Sequence, residues 1–120
     1  MKNFLQFITV LFLSAIICTQ LSFAQTAGDY RSNAATGNWN AAGSWEYFDG
    51  TVWGTTLNYP GLNPGAGNVE IQPGHTITIN SSIAYSIGAL TVNGEINTNG
   101  SSRILNVAND VNIIQGVQFH

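Results

Sequence analysis

The chain has 120 residues, of which three are Lys or Arg and six are Asp or Glu; its formal net charge is −3 at neutral pH, and only 8% of it is charged. So small a supply of positive charge cannot neutralise a run of phosphates or grip an anionic lipid surface, so no nucleic-acid partner and no peripheral membrane contact is expected. A hydrophobic share of 44% suffices for one small core, with Asn, Thr, Ser and Gly left to provide solubility.

The first element is an export signal. Met1-Lys2-Asn3 is a short positive start, the apolar run from Phe4 to Ile17 follows, and Ser22-Phe23-Ala24 places small residues where a signal peptidase reads. Cleavage is expected between Ala24 and Gln25, with residues 1–24 forming a signal helix and the mature chain secreted, extracellular or at the cell surface. Gln6, Thr9 and Ser14 interrupt the run, which is shorter than the about 20 apolar residues a membrane span takes, so no membrane insertion of the mature chain is expected. Cys18 is the only cysteine and lies inside the removed segment. Ile16 and Ile17 precede it, where a lipidation site wants small residues. Disulfides, thiol chemistry and cysteine-ligated metals are thereby excluded from the mature chain.

Residues 25–68 read as an aromatic, Asn- and Gly-rich cap. Trp39, Trp45 and Trp53 stand with Tyr47, Phe48 and Tyr59, and the segment ends in the turn-rich Tyr59-Pro60-Gly61-Leu62-Asn63-Pro64-Gly65-Ala66-Gly67. Two readings fit. Trp39, Trp45, Tyr47 and Trp53 are candidate ligand-binding residues if the rings form a platform for sugars, because aromatic faces offer flat apolar area with a polar rim. Alternatively they plug the open end of the β structure behind them and protect its edge. Strand alternation puts Trp45 and Tyr47 on one face and Glu46 on the other.

Beyond residue 68 the pattern is that of short strands. Thr76-Ile77-Thr78-Ile79, Leu90-Thr91-Val92 and Val111-Asn112-Ile113 alternate, with turn pairs at Pro73-Gly74, Asn93-Gly94 and Asn99-Gly100. Runs that lead into a glycine recur at Val69, Leu90 and Val111, 21 residues apart, and Ile83 maps onto Ile104 by the same step. No amphipathic helix is predicted anywhere after the signal. The expected fold class is all-β: a short parallel β-helix (β-solenoid) with coils of this length over residues 69–120, behind the cap. An evenly spaced β-sandwich is the alternative. Gly116-Val117-Gln118-Phe119-His120 reads as the opening of another strand, so the chain is expected to be the N-terminal part of a larger protein.

Catalytic chemistry is sparse. His75 and the terminal His120 are the only histidines; His75 follows Pro73-Gly74 at the mouth of a strand, with no serine or carboxylate nearby in sequence to form a triad. Glu46 and Asp49 are the closest carboxylate spacing, and no calcium-loop pattern accompanies them. Asn80-Ser81-Ser82 and Asn99-Gly100-Ser101 match a glycosylation acceptor pattern, with no role assigned. The reading is therefore no catalytic residues, no metal, no cofactor and no enzyme.

The order of Trp39, Trp45, Trp53 and Tyr59-Pro60, then Asn68 to Ile79, then Ile87-Gly88-Ala89-Leu90-Thr91-Val92-Asn93-Gly94-Glu95-Ile96, resembles the extracellular domain family named for its eight glycines. It is similar also to related N-terminal modules of large secreted proteins of Bacteroidetes-type bacteria. The likeness spans roughly residues 36 to 116. It implies a β-helix-like extracellular fold in adhesin-like proteins, with no catalytic residues to carry over. The expected function is a non-catalytic structural or adhesive module of an exported bacterial protein, meeting protein or glycan at the cell surface. The alternative is a carbohydrate-binding module of a secreted polysaccharide-degrading protein. A β-helix lyase fragment ranks last, because Arg31 and Arg103 are the only basic side chains left to neutralise an acidic sugar.

Overall fold

The computed structural model describes residues 25–114. Nine short strands form two sheets: β1 (Tyr30–Ser32), β2 (Thr36–Asn38), β3 (Trp45–Phe48), β4 (Trp53–Thr55), β5 (Val69–Ile71), β6 (Thr76–Ile79), β7 (Leu90–Val92), β8 (Glu95–Thr98) and β9 (Val111–Ile113). A single 3-10 turn, Ala42–Ser44, leads into β3. No α-helix occurs among the described residues.

Alternation explains the strands. In β5 and β7 the outer members of Val69-Glu70-Ile71 and Leu90-Thr91-Val92 are buried and the middle residue is half-exposed, the period-2 pattern of a strand with one dry face. The order in the larger sheet is β4-β3-β1-β5-β7-β9, and in the smaller β2-β6-β8. Parallel pairing places Val69 beside Leu90 and Leu90 beside Val111, so the 21-residue step is spent on stacking like residues across one sheet. In the smaller sheet Ile77 pairs with Ile96. Tyr30, Trp39, Trp45, Val69, Ile71, Ile77, Ile79, Ile83, Ile87, Leu90, Val92 and Ile96 join in one buried cluster, to which each fully buried large side chain contributes about 1.5–3 kcal/mol.

The corner between β7 and β8 depends on Gly94. A Cβ there would press on the carbonyl oxygens of Gln72 and His75, both of which belong to the corner below. Close backbone approach, not a left-handed φ, is what excludes a side chain at this position.

The expected β-solenoid does not form. The two sheets stay open, and the larger is mixed: β1 pairs antiparallel with β3, and β3 with β4, while β1 pairs parallel with β5. A closed coil needs a further wall, and the stretches that would supply it, residues 80–88 and 99–110, form no strand: an isolated bridge between Ile87 and Val107 and a few backbone hydrogen bonds, such as Ile83 to Ile104 and Asn109 to Gly88, join them. Asn80-Ser81-Ser82 and Asn99-Gly100-Ser101-Ser102 favour local side-chain and turn bonding over a ladder. The signal helix, the cleavage position after Ala24 and the strand expected near Val117 fall on residues outside those described.

The aromatic segment supplies strands β1 through β4, and through β1 and β2 it enters both sheets.

Candidate functional site

Three tryptophans were candidates for one platform, and the fold divides them. Trp39 and Trp45 are 0% and 1% exposed, packed edge-to-face with ring centroids 4.8 Å apart. The Trp45 indole N–H donates to the Trp39 carbonyl at 2.7 Å, and the Trp39 N–H donates to the Pro60 carbonyl at 2.8 Å. Both polar edges are thus satisfied by backbone, which lets two large rings be buried without an orphaned donor. They anchor the Tyr59-Pro60 loop to the core and cannot meet a ligand.

Tyr47 shares the inner face with Trp45, as alternation requires. It packs edge-on to Tyr30 at 5.2 Å. Burial, and secondarily the neighbouring Tyr47, push the Tyr30 phenol above its ordinary pKa, with a hydrogen bond involving Thr56 opposing.

Trp53 alone among the three lies on the outer face. It stands opposite Phe48 in the β3–β4 ladder, with the two rings 5.2 Å apart and tilted. The Arg31 guanidinium sits 4.4 Å above the indole, a cation–π contact, while its Nε donates to Glu46 at 2.6 Å. The registers extend this arrangement into a row across the sheet: Thr55, Glu46, Arg31, Glu70, Thr91 and Asn112 are successive partners. Glu70 in turn accepts a 2.9 Å hydrogen bond from the Asn93 amide. A shallow groove of about 290 Å³ runs over this face, lined by Trp53, Glu70, Thr91 and Asn93 with Asn68 and Gln25.

His75, Ser32, Asp29 and Asp49 hold the scaffold together. His75 Nδ1 lies 2.7 Å from Ser32 Oγ, a serine–histidine contact between residues 43 apart that no local motif announces. Ser32 is nevertheless 0% exposed, and its Oγ already accepts the Gln72 N–H at 2.8 Å. The Gln72 amide donates to the Ser32 carbonyl at 2.7 Å. These bonds tie β1 to the corner after β5. Asp29 accepts the backbone N–H groups of Thr26 and Asn68. Asp49 accepts those of Val52 and Thr51, which hold its carboxyl below the usual range and close the β3–β4 turn.

Among the described residues no three His, Cys, Asp or Glu side chains come together in a metal-binding group, and no helix is long and apolar enough to cross a membrane. No family model, curated protein or solved structure matches the chain, so the likeness to the eight-glycine family rests on its pattern of glycines and apolar pairs alone.

Proposed function

We propose that this chain is a non-catalytic adhesive module of an exported protein, working through the outer face of its six-stranded sheet. One observation carries the reading: Ser32, His75 and Asp29 are engaged in holding strands together, whereas Trp53, Arg31, Glu46 and Glu70 collect half-exposed on one open face. Ser32 is buried against His75, Asp29 caps two backbone amides, and Trp53, Arg31, Glu46 and Glu70 are neighbours on the outside. A flat face that needs no closure suits contact with an extended partner better than turnover of an enclosed one.

Incubation of the purified chain with immobilised cell-surface glycans and proteins tests this. The expected result is saturable retention with the size of the retained material unchanged by mass spectrometry. Cleavage products that disappear in His75→Ala would contradict it.

A further inference from the structure

The groove beside Trp53 has a ligand chemistry of its own. We infer that it binds a neutral hexose polymer, one pyranose ring lying against the Trp53 indole and its hydroxyls held by Glu70 and Asn93; this rests on the adhesive reading and specifies the ligand of the same face.

The indole supplies the stacking surface. Trp53 is half-buried and held on two sides, by the Phe48 ring at 5.2 Å and the Arg31 guanidinium at 4.4 Å, so little freedom remains to be lost when a sugar ring covers what is left. The apolar C–H face of a pyranose matches such a surface, as aromatic rings combine large contact area with few rotatable bonds.

Hydroxyl recognition comes from across the ladder. Glu70 and Asn93 are joined at 2.9 Å, so a carboxylate and an amide lie side by side and together offer acceptors and donors, the set that adjacent hydroxyls need. Hydrogen bonds accepted by a carboxylate are the stronger class. Thr91 borders them in the same groove.

Charge sets the class of sugar. Arg31 is engaged by Glu46 at 2.6 Å, and the carboxylates lining the groove are Glu70 and Asp29. A uronic acid or sulfated sugar would bring like charge against them, a cost and not a gain. The volume of about 290 Å³ falls just below the range of about 300–1,000 Å³ for enclosed small-molecule sites. An open groove of that size suits a polymer laid across the sheet.

Affinity electrophoresis of the full chain through gels containing galactomannan, xyloglucan or mixed-linkage glucan, with polygalacturonate as the acidic counterpart, tests the assignment. Retardation is expected in at least one neutral gel and not in polygalacturonate. Trp53→Ala should weaken it about tenfold or more, and Glu70→Gln about threefold, since a stacking contact outweighs one charge-assisted hydrogen bond exchanged with water. A matching oligosaccharide should change the tryptophan emission of the wild type, and Trp53→Phe should abolish that change while retaining binding, which covers the case in which Trp53→Ala unfolds. No retardation of folded protein in any neutral gel, stronger retardation in polygalacturonate, or wild-type affinity in folded Trp53→Ala overturns the sugar assignment. None of those outcomes touches the non-catalytic reading, which fails on cleavage products that disappear in His75→Ala.

Discussion

Tyr30 shows how one residue's position changes what its chemistry does. In the unfolded chain its phenol ionises near pH 10, whereas in the fold burial first, and Tyr47 second, raise the pKa. The folded state therefore holds its proton more tightly. The stability this contributes is complete below the unfolded value and is lost as pH rises through the higher folded one. Alkaline titration of thermal stability should show a fall beginning near pH 10, and Tyr30→Phe should flatten that fall while losing the hydroxyl's bond at Thr56. An identical alkaline limb in both proteins would mean that Tyr30 is not buried as described. Little of this was legible beforehand: the alternation of Trp45, Glu46 and Tyr47 predicts which ring points inward, yet the partner across the ladder, Tyr30, lies 17 residues away in a segment with no strand signal of its own. The Ser32–His75 contact escaped for the same reason, since it exists only once β1 has paired with β5.

At the scale of elements, the parallel run β5-β7-β9 is the part most visible in the sequence, because like residues at 21-residue intervals can stack only if the strands between them align in register. The antiparallel β3–β4 pair was hidden by its composition: Trp53-Gly54-Thr55 has no apolar alternation, and the pair is held instead by Asp49 at its turn and by Phe48 against Trp53. The solenoid expectation fails because regular spacing does not by itself imply closure: the Asn- and Ser-rich connections form no third strand ladder, only an isolated bridge and a few backbone hydrogen bonds. β9 ends the larger sheet with Val111, Ile113 and Ile114 at 50%, 47% and 61% exposure. An uncharged apolar edge of this kind is a site for strand pairing between molecules. Ile113→Lys should change unfolding stability by less than about 0.5–1 kcal/mol, because half of the side chain is already in water, and should reduce concentration-dependent association by light scattering. A large loss of stability with unchanged association would show that β9 is covered more fully than its exposure indicates.

For the whole molecule, the organising fact is that two sheets share one core and that the aromatic segment serves both of its sides. Trp39 and Trp45 join the loop at Pro60 to that core, while Trp53 remains outside with Arg31. Sequence spacing could propose an aromatic platform but could not divide its members, because burial of each indole depends on which distant carbonyl receives its N–H. That division sets the scaffold, with Trp39 and Trp45, apart from the outer face, with Trp53. The most direct test is tryptophan emission and acrylamide quenching of the full chain beside Trp53→Phe, in which Trp39 and Trp45 are the only emitting indoles. The expected result is short-wavelength emission that acrylamide barely quenches in Trp53→Phe, with the exposed, quenchable component of the wild type gone. Long-wavelength, readily quenched emission persisting in folded Trp53→Phe would contradict the account.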